Sequence, residues 1–106
     1  MAVLTDAEIE QRLARVPQWQ RGADAAPGGD DAPSGDDTIV RELALADFAA
    51  AIALVDRVAA VAEAANHHPD ILVHGWNKVR LTLSTHSQGG LTDADFALAA
   101  EIDRLV

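Results

Sequence analysis

With 106 residues the chain has room for one domain, since domains typically run to about 100–150 residues, and its 49% apolar content is enough for a compact core. Seventeen acids against eight bases give a net charge of −9, which disfavours binding to nucleic-acid phosphates. The absence of cysteine excludes disulfides, thiolate metal sites and cysteine nucleophiles.

The opening MAVLTDAEIEQ has neither the basic region nor the long apolar run of a signal peptide. No apolar stretch approaches the ~20 residues of a membrane span. A soluble, cytoplasmic protein is therefore expected. Thr5 and Glu8 have the spacing of a capping box, with Leu4 and Ile9 placed as a hydrophobic staple. Ile9, Leu13 and Val16 then share a helical face, and Pro17 ends the run. A short strand around Trp19 is expected next.

Residues 22–37 (GADAAPGGDDAPSGDD) contain five aspartates and no base, which leaves the rest of the chain with twelve acids and eight bases, a net −4. Nothing large and apolar lies in this segment, so it has nothing to bury and is expected to be a mobile acidic loop. The β-branched start of residues 38–45 (TIVRELAL) reads as a strand with Ile39, Leu43 and Leu45 on one face. Asp47 then caps a long helix from 48 to about 65. Phe48, Ile52, Val55, Ala59 and Ala62 make one apolar stripe; Leu54, Val58, Val61 and Ala65 make a second. A helix that is apolar on two sides must bury both. One side is expected to cover a sheet and the other, with Leu54 and Val58 on it, to meet a second subunit.

His67-His68-Pro69 ends that helix. Residues 71–74 form a short extended run. In WNKVRLTLST, at 76–85, Val79, Leu81 and Leu83 alternate with Arg80, Thr82 and Ser84, as in a half-buried strand. After a Gly89-Gly90 turn, Thr92 and Asp95 repeat the capping-box pattern, with Leu91 and Phe96 as the staple. The last helix buries Phe96, Leu98, Ala99, Ile102 and Leu105. The order α-β-β-α-β-β-α predicts an α+β fold: a four-stranded, mainly antiparallel sheet with three helices on one face.

Three of the four histidines fall where elements end: His67, His68 and His86. Glu63 lies one helical turn before His67, and Asp95 lies in the first turn of the last helix. Neighbouring residues on a helix point about 100° apart, so His67 and His68 do not readily share an ion, and no HxxxH or HxH pair occurs. No serine sits in a GxSxG elbow. Proton transfer by imidazole suits these residues better, because histidine gains and loses its proton near neutrality. Each residue alone also admits a structural reading: His68 as a helix C-cap, Asp95 as half of a capping box, and Trp19 and Trp76 as core aromatics.

Together the residues resemble the pterin-4a-carbinolamine dehydratase family. Its pattern of an acid, three residues and His-His-Pro stands here as Glu63 to Pro69. The aromatic-Asn-x-Val block and its strand ending in Thr-His stand as Trp76-Asn77-Lys78-Val79 to Thr85-His86. Gly-Leu-Thr-x-x-Asp stands as Gly90 to Asp95, and Trp19 and Ile39-x-Arg41 also match. The departures are the longer segment 22–37, the extra length at His74-Gly75, Trp76 where tyrosine is common, and Leu43 where many members have phenylalanine. The resemblance implies dehydration of 4a-hydroxytetrahydropterin to quinonoid dihydropterin, with no metal or bound cofactor, by a homodimer or homotetramer. It implies proton transfer by His67 and His86, with His68 holding the pterin. Glu63 and Asp95 would orient imidazoles or bond the pterin, and Trp19 would wall the pocket. The rival reading it carries is a non-catalytic dimerisation or assembly partner. Shortening residues 22–37 to a tight turn is expected to leave folding and turnover largely intact in parallel melting and rate measurements. A large loss of turnover would instead make the loop part of the pocket.

Overall fold

The computed structural model describes residues 2–22 and 37–106, so most of the segment expected to be a mobile acidic loop lies outside the described residues. The elements run α1 (Asp6–Leu13), β1 (Gln20–Arg21), β2 (Ile39–Ala44), α2 (Phe48–Ala65), β3 (Asp70–His74), β4 (Lys78–Leu83), a 3-10 turn (His86–Gln88) and α3 (Asp93–Asp103). The order and class are those expected from the sequence pattern. The Thr5–Glu8 and Thr92–Asp95 capping boxes both form, satisfying backbone N–H groups that a helix start leaves without partners.

The sheet order is β1-β2-β4-β3, and every neighbouring pair is antiparallel. Because β2 and β3 both run against β4, they are parallel to each other, with α2 as the crossover and β4 inserted between them: a split β-α-β unit. The register aligns Ile39 with Leu83, Arg41 with Leu81 and Leu43 with Val79 across β2 and β4. Ile71 and Val73 of β3 continue that inward face beside Leu81 and Val79. Ile9 of α1, Leu54 and Val58 of α2, and Leu98 and Ile102 of α3 complete one core with these strands.

Strand β4 is shorter than its alternation suggested. Trp76 is not in it but in the turn after β3, with φ of 60°, and is 62% exposed. Beyond that turn, Asn77 clamps the β3–β4 hairpin to the start of α2. Its side-chain Nδ2–H donates to the Leu45 carbonyl at 2.9 Å, and the Leu45 N–H donates to the Asn77 carbonyl at 2.8 Å.

Helix α2 corrects one expectation. Leu54 and Val58 have no exposed surface and, with Ala51 and Ala62, form the line that packs on the protein's own core. At 100° per residue these four positions fall on one side of the helix, and that is the side the sheet and α3 cover. Cutting Leu54 back to alanine would cost about 2–5 kcal/mol of folding stability, so its loss tests the core and not an interface. The outward apolar positions are Phe48, 55% exposed, and Ile52, 37% exposed.

The sheet face away from the core carries a polar network. Arg80 Nε–H donates to Glu42 Oε1 at 2.8 Å, and His74 Nε2 bonds the other carboxylate oxygen. Burial alone would raise the Glu42 carboxyl; the bonds from Arg80 and His74 outweigh it and hold the group below the ordinary glutamate range. A depressed carboxyl stabilises the fold above its unfolded-state value, and that stability is lost as pH falls through the folded value. The window therefore lies below about pH 4. Glu42→Gln should flatten the acid limb of stability in urea melts between pH 5 and 2. The change should be small, about 0–1 kcal/mol, because the pair is partly exposed.

Candidate active site

The site begins where α2 ends. Asn66 adopts the left-handed conformation, with φ of 53° and ψ of 42°. The His67 N–H then bonds the Ala62 carbonyl and the Asn66 N–H bonds the Glu63 carbonyl, both at 3.1 Å. This is a Schellman closure, in which one left-handed residue lets the chain double back and satisfy the last carbonyls. Asparagine tolerates that conformation better than most residues other than glycine. The reversal takes His67 off the helical path, so it does not sit one turn above Glu63.

His67 instead meets α3. Its Nε2 lies 2.6 Å from Asp95 Oδ1, across 28 residues of sequence. The imidazole is 15% exposed and the Asp95 side chain not at all. Glu63, expected beside His67, bonds His68 instead, with Oε2 and Nε2 2.7 Å apart and both side chains more than half exposed. Each imidazole thus has its own carboxylate, one buried and one in solvent.

Strand β4 supplies the third part. Thr85, just beyond its end, bridges to Gly90, and Gly89 turns the chain at φ of 80° in the region that favours glycine. The closed turn sets Thr85 against the start of α3. The Thr85 hydroxyl donates to Asp95 Oδ2 at 2.7 Å, and the Thr92 backbone N–H donates to the same oxygen at 2.9 Å. His86 follows Thr85 directly and opens the 3-10 turn at the exposed surface. Asp95 is therefore both the capping-box residue of α3 and the partner of His67; the two readings open to it in the sequence are compatible. Its place in the first helical turn also suits negative charge.

Trp19 lies in another network. It is 3% exposed, and its indole N–H donates to Asp103 Oδ1 at 2.8 Å. Arg41 on β2 donates to the same oxygen at 2.5 Å. No local spacing links these residues: Asp103 is two turns along α3 from Asp95, and its pairing with Trp19 spans 84 positions. Of the six residues singled out in the sequence, the fold joins His67 and Asp95 in one hydrogen-bonded group with Thr85, and His86 is the next residue in the chain after Thr85. His68 and Glu63 sit beside it at the helix end, and Trp19 is held by Arg41's partner. Thr85 and Thr92 complete the group; in the sequence Thr92 is legible only as a helix cap and Thr85 only as part of the Thr-His block, because their bonds to Asp95 and to each other depend on the closed turn between them. Among the described residues, no group of three or more His, Cys, Asp or Glu side chains could hold a metal ion. No described helix is long and apolar enough to cross a membrane.

An imidazole backed by a buried carboxylate, with a second imidazole one residue from that carboxylate's other partner, can take up a proton at one point and deliver one at another. Comparison with known proteins agrees on the family. The family model for pterin 4 alpha carbinolamine dehydratase matches residues 2–105. A provisionally named pterin-4-alpha-carbinolamine dehydratase of Chloroflexus aggregans is 47% identical over 106 residues, covering 100% of this chain and 99% of its own. A similarly named protein of Nocardia farcinica is 48% identical over 103 residues, covering 97% of this chain and 94% of its own. The crystal structure of a transcriptional coactivator/pterin dehydratase from Brucella melitensis superposes with a TM-score of 0.81 at 28% identity, covering 97% of each chain. With its whole described fold and all its motif blocks accounted for, the chain belongs to the pterin-4a-carbinolamine dehydratase family of hydro-lyases.

Proposed function

We propose that this protein dehydrates 4a-hydroxytetrahydropterin to quinonoid dihydropterin and water, by histidine acid/base catalysis, in the cytoplasmic recycling of the pterin cofactor of aromatic amino-acid hydroxylases. The observation that carries this reading is His67 held at 2.6 Å by a carboxylate with no exposed surface, inside a member of this family. The reaction breaks the C4a–O bond and forms the N5–C4a double bond. One group protonates the departing hydroxyl, which leaves as water, and another accepts the N5 proton. Both transfers are feasible near neutrality for imidazoles, and each contributes typically ~10²–10⁴-fold. His67 and His86 come from different elements, so they suit opposite ends of that exchange. His68, paired with Glu63 in solvent, suits a binding role.

His67→Ala and His86→Ala should each lower kcat by about 10²-fold or more, while His68→Ala should act mainly through KM. Steady-state rates with 4a-hydroxytetrahydropterin decide this. If the His67→Ala/His86→Ala double variant keeps wild-type turnover, the histidines only shape the pocket. Absence of turnover in the wild-type protein itself would favour the non-catalytic interaction partner.

The active form is proposed to be a homodimer or homotetramer. Phe48 and Ile52 support this, since both lie exposed on the outward side of α2 among alanines. Replacing both by aspartate should leave the monomer folded, because neither is in the core, and should lower the mass seen by light scattering. A wild-type monomer at micromolar concentration would refute the assembly.

A further inference from the structure

Behind the His67–Asp95 pair lies a line of hydroxyls that the proposed chemistry does not itself require. The Ala94 N–H donates to Thr92 Oγ1 at 3.3 Å, the Thr92 and Thr85 hydroxyl oxygens are 2.9 Å apart, and Thr85 Oγ1 donates to Asp95 Oδ2 at 2.7 Å. A hydroxyl has one proton to give. Thr85 gives its proton to Asp95, so the proton between the two threonines belongs to Thr92. The line therefore runs in one direction, from Ala94 through Thr92 and Thr85 to the carboxylate. A helix cap needs only an acceptor at Thr92, and a buried threonine hydroxyl donating onward to Thr85 does more than cap.

The consequence falls on the imidazole. Asp95 Oδ2 already receives two donors, from the Thr85 hydroxyl and the Thr92 N–H, which leaves Oδ1 for His67. A carboxylate accepts only, so the hydrogen between His67 and Asp95 is carried by Nε2. In neutral imidazole that makes Nδ1 the nitrogen without a proton.

We propose that Thr85 and Thr92 are positioning residues whose one-way hydroxyl line aims Asp95 at His67 and fixes the Nε2–H tautomer, making Nδ1 the nitrogen that exchanges a proton with the pterin. This rests on the reading of His67 as a proton-transfer group. A carboxylate that sets a histidine's tautomer is worth far more to the rate than to binding, and the groups that orient it are typically worth about 10–100-fold.

The test uses the full-length protein in three forms: wild type, Thr85→Val, which keeps the branched shape and removes the hydroxyl, and Thr85→Ser, which keeps the hydroxyl. Long-range proton–nitrogen NMR spectra of ¹⁵N-labelled protein, above the histidine titration, read which ring nitrogen of His67 carries the hydrogen. Wild type and Thr85→Ser should show Nε2–H alone, and Thr85→Val a mixture of tautomers. With 4a-hydroxytetrahydropterin, Thr85→Val should lose about tenfold or more in kcat with KM within about twofold, and Thr85→Ser should recover most of it. The proposal is overturned by Nδ1–H in the wild type, by a Thr85→Val variant with wild-type tautomer and kcat, or by equal losses in both variants. Should Thr85→Val fail to fold, the wild-type spectrum still tests the tautomer, and Nδ1–H there overturns the proposal. Because the tautomer is read without turnover, an inactive wild type whose His67 tautomer still depends on Thr85 would reject the dehydratase reading while sustaining the hydroxyl line.

Discussion

A carboxylate without exposed surface must be surrounded by donors, because an unpaired buried charge costs several kcal/mol. Asp95 meets that demand with three groups from three places: His67 after α2, Thr85 after β4, and the Thr92 backbone at the start of α3. Each lies at the end of an element, where the chain is free to turn a polar group inward. The single demand thereby gathers three chain segments at one end of the sheet. It also links stability to the site, since the carboxylate that caps α3 is the one that holds the imidazole.

The rest of α3 is held by a separate polar anchor. Asp103 accepts from Trp19 and from Arg41, joining α3 to the segment before β1 and to the inward face of β2. Arg41 is on that face because the β2–β4 register sets it beside Leu81, and its 14% exposed side chain needs a counter-charge there. Between the two anchors Phe96, Leu98, Ala99 and Ile102 pack on the core. A helix pinned by charge at both ends and by apolar contact between them has little freedom to slide. The Asp95–His67 geometry gains its precision from that.

Polar and apolar groups are divided unequally over the outer surface. The open sheet face carries the Glu42, Arg80 and His74 network, which water and salt can screen. The outer side of α2 carries Phe48 and Ile52 with few charges, and Trp76 stands exposed in a turn with a backbone conformation costing roughly 1–2 kcal/mol for a residue with a side chain. The hairpin that bears Trp76 is clamped to the start of α2 through Asn77 and Leu45, so the aromatic is held rather than loose.

Local chemistry made much of this protein legible in its sequence. Capping boxes at Thr5–Glu8 and Thr92–Asp95, the alternation of Val79, Leu81 and Leu83, and the stop at His-His-Pro depend on interactions within a few residues, and each formed where the pattern placed it. The family blocks likewise put His67, His86 and Asp95 forward as partners in chemistry. Which acid meets which histidine was beyond that reach. A single left-handed residue at Asn66 ends the i, i+4 relation that would have paired Glu63 with His67, and gives Glu63 to His68 and Asp95 to His67. The same limit explains α2: two apolar stripes have similar composition, and only the position of the sheet determines that Leu54 and Val58 are the core. Spacing along a chain specifies elements because their hydrogen bonds are local. Pairings across 28 or 84 residues depend on where the elements pack, and here the tertiary structure alone decided them.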